Sequence, residues 1–159
     1  MFGFFKKQRA IQEAQLKIGK ELHRQIKNAL RTDDALATQR LSSAFTVGYI
    51  TGFTRSGFML FDIEPDKIIN DEIRYICDGI INKVLYEIFL TQAALVKLSS
   101  EMENPKDKVL DTGLSPENVL DDFRLGMESG RFDASLISLK SVQADNFCHY
   151  LLKEPLNLQ

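Results

Sequence analysis

Residues 35–61, ALATQRLSSAFTVGYITGFTRSGFMLF, constrain the fold more than any other stretch. They hold no acidic residue and two basic ones, Arg40 and Arg55, in a chain whose charged residues make up 26%. A segment so poor in charge points to burial on most sides. At about 100° per residue, Ala37, Leu41, Ala44, Phe45, Gly48, Gly52 and Met59 fall on one side of a helix. Gly48 and Gly52 stand four apart on that side. Each lowers helix propensity by about 1 kcal/mol, and each lets a second backbone come close. The expectation is a buried central helix, crossed tightly by a neighbour at the glycines.

A membrane span is the rival reading. Gly48-Tyr49-Ile50-Thr51-Gly52 matches G-x-x-x-G, and residues 41–61 are long enough to cross a bilayer. The same stretch contains Ser42, Ser43, Thr46, Thr51, Thr54, Arg55 and Ser56. An arginine near mid-span costs about 2.5–3.5 kcal/mol on insertion scales. The soluble helix is therefore preferred. Inside it, Arg55 needs a partner such as Asp78 or Glu87, unless its head snorkels to solvent.

The length of 159 residues suits one compact domain spanning 1–159, and 44% apolar residues are enough for a core. The four prolines fall outside the strongest periodic segments. An all-α, single-domain helical bundle of about five helices follows. Two cysteines, Cys77 and Cys148, make no disulfide framework. The opening Met-Phe-Gly-Phe-Phe-Lys-Lys reverses the order of a secretory signal. A reducing, cytoplasmic setting is expected.

The first helix is predicted over 7–31, after a flexible 1–6 that holds Phe2, Phe4 and Phe5. Ile11, Ala14, Ile18, Leu22, Ile26 and Ala29 form its apolar stripe. Lys17, Lys20, Arg24, Lys27 and Arg31 form a basic ridge nearly opposite. Thr32-Asp33-Asp34 supplies a stop and a new N-cap. The central helix ends near residue 62, and Pro65 opens the next helix among acidic neighbours. That third helix should run over 66–103, with Ile69, Ile73, Ile76, Ile80, Val84, Ile88, Thr91, Leu95 and Leu98 in one stripe and a bend near Gly79 or Thr91. Residues 104–114 read as the mobile loop. Ser115-Pro116-Glu117 starts a helix, with Leu114 and Val119 as a hydrophobic staple, that ends at Gly130. Asp133 then caps a last helix through Ile137, Ala144, Phe147, Cys148, Leu151 and Leu152, and 155–159 is a tail.

No catalytic constellation, cofactor motif or metal site is specific enough to name. His23, Cys77, Cys148 and His149 lack paired-ligand spacing, because adjacent helical residues point about 100° apart. Acidic pairs such as Asp33-Asp34, Asp71-Glu72 and Asp121-Asp122 read as solvated charge, and residues 107–111 lack a calcium loop's oxygen ladder. An enzyme or small-ligand binder would need a pocket where two or more of Tyr49, Arg55, Asp78, Tyr86 and Glu87 converge.

Charge gives the main functional hint. Residues 1–31 carry eight Lys/Arg against two acids, a balance of +6; the rest carries twelve against twenty, a balance of −8. The expectation is a non-catalytic protein–protein interaction protein, binding an acidic partner through Lys17, Lys20, Arg24, Lys27 and Arg31. Adaptors, inhibitors and toxin-neutralising immunity proteins fit that description, and the asymmetry also permits a homo-oligomer. The alternative is peripheral binding to an anionic membrane through Phe2, Phe4, Phe5, Lys6 and Lys7. Nucleic acid is disfavoured by the acidic whole and the lack of a binding motif.

Overall fold

The computed structural model describes residues 2–64, 69–81, 83–103, 113–137 and 143–158. These form seven α-helices and one π-helical segment, with no strand among them. The helices are α1 (Phe2–Thr32), α2 (Asp34–Leu41), α3 (Ala44–Met59), α4 (Ile69–Arg74), α5 (Lys83–Glu101), α6 (Pro116–Leu136) and α7 (Asn146–Leu151). The all-α expectation holds, with more helices than five. None is long and apolar enough, among the described residues, to cross a membrane.

The central helix is two helices. Ser42 and Ser43 leave helical geometry, and Ser43 Oγ accepts from Thr46 N at 3.3 Å, capping α3. Serine hydroxyls compete for backbone groups in this way, which is why they favour caps over helix interiors. Beyond the break, α3 is buried on nearly all sides: Phe45, Tyr49, Ile50, Phe53 and Phe58 have no exposed surface. Each buried phenylalanine stabilises the core by about 2–3 kcal/mol. Met59 departs from its predicted place and is exposed, because α3 ends there. Asp62, at φ +56°, closes that end, with Ile63 N donating to Phe58 O and Asp62 N to Met59 O.

The neighbour that crosses at Gly48 and Gly52 is α6, and it brings glycines of its own. A Cβ on Gly48 would lie 3.0 Å from Met127 N, and one on Gly52 3.0 Å from Met127 Cα. Reciprocally, a Cβ on Gly126 would lie 2.8 Å from Tyr49 N, and one on Gly130 2.7 Å from Phe53 N. Position numbers rise together along the contact, so α3 and α6 run parallel, backbone against backbone. Gly130 therefore does not end α6. The helix continues to Leu136 because the glycine is needed in the crossing. Ser115 and Pro116 start α6 as expected, and Val119 is buried, but Leu114 stands half exposed instead of stapling the turn.

The third predicted helix changes register midway. Ile73, Ile76 and Cys77 are buried as expected. Ile76 and Cys77 already belong to the π-helical segment, Tyr75–Ile81, whose wider turn takes up an extra residue. The buried stripe resumes at Leu85 and Ser99, while Val84 and Leu98 face outward. Pro65 and residues 104–112 of the predicted loop lie outside the described residues.

On α1, Ala14, Ile18, Leu22, Ile26 and Ala29 pack into the core, with Ile11 partly buried, as the stripe predicts. Gln15 Nε2 donates to the Glu72 carboxylate, tying α1 to α4. The N-terminal segment is helical from Phe2, so α1 begins earlier than the predicted residue 7. Residues 3–9 are exposed throughout. The last helix is much shorter than predicted, since Asp133 sits inside α6 and α7 begins only at Asn146.

Candidate functional site on the first helix

One face of α1 gathers basic residues along its length. At about 100° per residue, Lys6, Arg9, Lys17, Lys20, Arg24, Lys27 and Arg31 fall within an arc of about 80°, over roughly 38 Å of helix. Lys6 and Arg9 were legible in the same 3/4 spacing, read back through Glu13, once the helix is known to start at Phe2. Opposite them the apolar stripe is buried, so packing alone aims the ridge outward.

The five predicted residues do not share one role. Lys20, Lys27 and Arg31 are exposed, and no acidic side chain pairs with them among the described residues. Lys17 lies 3.4 Å from Glu13 and 5.2 Å from the centre of the Phe61 ring. Arg24 belongs to the fold. Its guanidinium binds the Glu21 carboxylate, donates to Ala144 O at 2.6 Å and to Asp145 Oδ1 at 2.9 Å. The Glu21 hydrogen bond is the largest influence holding it protonated, against the opposing effect of partial burial and with help from Asp145. Arg24 thus clamps α1 to the segment leading into α7. A cleft of about 500 Å³ lies beside this clamp, walled by Lys17, Lys20, Glu21 and Arg24 and floored by Leu136 and Ile137. It offers cationic heads above an apolar floor.

Beneath the ridge runs a buried polar cluster that sequence reading did not find. Gln25, on the core side of α1, donates from Nε2 to Tyr49 Oη at 2.8 Å. Tyr49 donates in turn to Asp133 Oδ2 at 2.5 Å. Asp133 also accepts from Asn146 N at 2.9 Å and Asn146 Nδ2 at 2.8 Å. Gln25 Oε1 accepts from Phe147 N at 3.0 Å and Cys148 N at 3.2 Å. Two side chains from distant helices therefore satisfy the first amides of α7, which its own N-cap residue, Asp145, leaves without a side-chain hydrogen bond. Burial pushes the Asp133 carboxyl up to about 6, against the lowering effect of its three donors. Burial first, and then Asp133, raises the Tyr49 phenol.

Aromatic rings extend the cluster. Tyr49 stacks on Phe147 at 4.6 Å, and Phe45 on Tyr150 at 3.7 Å. Arg40 lies 4.0 Å over the Tyr150 ring and donates to Tyr150 O at 2.6 Å. Arg40, Tyr150, Asp122 and Gln92 also line a cleft of about 410 Å³ beside the α2–α3 break.

The residues required for an enzyme pocket are placed differently. Tyr49 is consumed by the buried cluster, Tyr86 lies beneath Arg74 at 5.8 Å, and Arg55, Asp78 and Glu87 are exposed. Neither cleft above contains any of them. Arg55 is therefore not a buried charge. The Cys77 thiol is buried and pushed up to about 12, chiefly by burial, so it stays protonated and unreactive. His149 Nε2 lies 3.7 Å from Glu154. Among the described residues no group of three or more His, Cys, Asp or Glu is placed to hold a metal ion.

Comparison with protein-family models, with curated proteins and with solved structures finds no match to this chain.

Proposed function

We propose that the chain is a non-catalytic interaction protein that docks an acidic protein surface along the outer face of α1. The observation that carries this reading is the row of exposed Lys6, Arg9, Lys20, Lys27 and Arg31 on one face over roughly 38 Å of helix, interrupted between Arg9 and Lys20 by the Glu13–Lys17 pair. Such a row raises the encounter rate with an acidic partner and fixes its register more than it adds affinity. An adaptor, an inhibitor or an immunity protein would work in this way, and free Cys77 and Cys148 suit a reducing cytoplasm. The test is a pull-down at low and high salt with wild type and with a Lys20→Glu/Lys27→Glu/Arg31→Glu variant. One stoichiometric protein, weakened by salt and lost with the triple variant, is the expected result. A partner retained by the variant at both salts would show that the ridge is only a solvated face.

A second reading has its own observation. Phe4 and Phe5, 71% and 64% exposed, stand on the outermost turns of α1 beside Lys6, Lys7 and Arg9. Aromatic anchors beside cationic residues suit the interface of an anionic bilayer. Co-sedimentation with phosphatidylserine vesicles checks it. Wild type should pellet and Phe4→Ala/Phe5→Ala should not, and wild type left in the supernatant removes the membrane reading.

A further inference from the structure

The outer face of α5 carries the clearest unexplained pattern in the molecule. Between Lys83 and Lys97 the helix has one charged residue, Glu87, yet only Leu85 and Ser99 of the whole helix are buried. Val84, Leu90 and Leu98 are 61%, 49% and 47% exposed. The π-helical segment is responsible, since it turns the stripe of Val84 and Leu98 away from the core. A helix so apolar on several sides normally has neighbours on those sides.

The exposed face also has a register. Lys83, Glu87, Leu90, Ala94, Lys97 and Glu101 are all exposed and follow one another at spacings of 4, 3, 4, 3 and 4. That is the a/d spacing of a two-stranded coiled coil, here with apolar Leu90 and Ala94 at the centre and two charged residues on either side. Read outward from Gln92, the seam is self-complementary in charge. Lys83 and Glu101 are equidistant from that residue, as are Glu87 and Lys97, and Leu90 and Ala94.

We propose that α5 is a self-association surface, on which a second copy of this chain packs its own α5 antiparallel about a two-fold axis at Gln92. In that pairing Lys83 meets Glu101 of the second copy, Glu87 meets Lys97, and the larger Leu90 meets the smaller Ala94, each twice by symmetry. Val84 of one copy lies along the flank near Leu98 of the other. A parallel pairing would set Lys83 on Lys83 and Glu87 on Glu87, so charge selects the antiparallel one. The patch is one helix wide, which places the association in the weak, transient class. It leaves the α1 ridge free, and neither surface depends on the other.

The test is sedimentation equilibrium of the full chain over the micromolar range, at low salt. Wild type should show a reversible monomer–dimer equilibrium. Glu87→Lys and Lys97→Glu, each placing like charges in contact twice per dimer, should each raise the dissociation constant at least about tenfold. The double exchange Glu87→Lys/Lys97→Glu should restore it to within about threefold of wild type. Leu90→Cys/Ala94→Cys, the two seam positions that face each other nearest the axis, should form a disulfide dimer on mild oxidation, whereas Lys83→Cys, at the far end, should not. These positions are exposed, so melting curves of all variants should match wild type. A monomer at every concentration, single reversals without effect, failure of the double exchange to restore association, or cross-linking through Lys83→Cys in place of Leu90→Cys/Ala94→Cys would each overturn the proposal.

Discussion

The phenol of Tyr49 and the carboxylate of Asp133 lie 84 residues apart in sequence and 2.5 Å apart in the fold. One sits in the middle of α3 and the other near the end of α6. Their meeting depends on the parallel contact of those helices at Gly48, Gly52, Gly126 and Gly130. From Asp133 the hydrogen bonds pass on to Asn146, so the glycine contact and the placement of α7 are mechanically linked.

Asp133 should therefore tolerate little change. Asp133→Ala leaves Tyr49 Oη, Asn146 N and Asn146 Nδ2 without their common acceptor in a dry site, and should cost about 2–4 kcal/mol at pH 7. Urea denaturation measures it, and a loss below about 1 kcal/mol would mean that water replaces the carboxylate.

The same residue gives the protein a pH signature. Asp133 titrates near 6 in the fold, against an ordinary 3.8. The folded chain thus holds a proton that the unfolded chain releases between those values. This group's contribution to stability is least above pH 6, rises as pH falls from 6 toward 3.8, and is complete below that. Asp133→Asn cannot take up the proton. Its stability deficit relative to wild type should grow by up to about 3 kcal/mol between pH 7 and pH 4. Paired urea titrations at several pH values check this, and a constant difference would place Asp133 at an ordinary pKa.

The glycines of the crossing should reject even a methyl group. Gly48→Ala, Gly52→Ala, Gly126→Ala and Gly130→Ala each drive a Cβ into backbone atoms of the facing helix, and should each cost about 2–4 kcal/mol. Gly3→Ala has open space around it and should be neutral, or stabilising by up to about 1 kcal/mol through helix propensity. Thermal melts of the five variants make the comparison, and equal melting temperatures would remove the close crossing.

Arg24 and Lys20 are four apart on one ridge but should behave differently. Arg24→Ala breaks the links to Glu21, Asp145 and Ala144 O and should cost about 1–2 kcal/mol. Lys20→Ala should leave stability unchanged within about 0.5 kcal/mol. If docking uses the ridge, Lys20→Ala should reduce the salt dependence of partner binding. Chemical denaturation beside binding curves at several salt concentrations separates the two roles.

Gln25 should control the start of α7. Gln25→Leu keeps its bulk in the core but removes the acceptor for Phe147 N and Cys148 N. Amide hydrogen exchange at those two positions should accelerate by about tenfold or more, ahead of any change at Ile18 or Leu22 on α1. Unchanged protection would mean that Asp133 alone holds the helix end.

Local chemistry was enough for much of this architecture. The α1 stripe from Ile11 to Ala29, the ridge from Lys17 to Arg31, the Asp33 cap of α2 and the Ser115-Pro116 start of α6 all depend on residues within a turn or two of one another. Gly48 and Gly52 announced a close crossing for the same reason, since a bare backbone on a buried face is a local property. What crosses there is not local. The Gly126-x-x-x-Gly130 spacing is visible in the chain, but Gly130 reads as a helix end until α3 is laid against it. The outward turn of Val84 and Leu98 follows from a π-helical turn that an assumed 3.6-residue period cannot reveal. Most of all, the roles of Gln25, Asp133 and Arg24 were decided by tertiary structure. A polar side chain on a helix has the same local signature whether it faces water, a partner or the unsatisfied amides of a helix more than a hundred residues away, and only the packing of the whole chain determines which of these it meets.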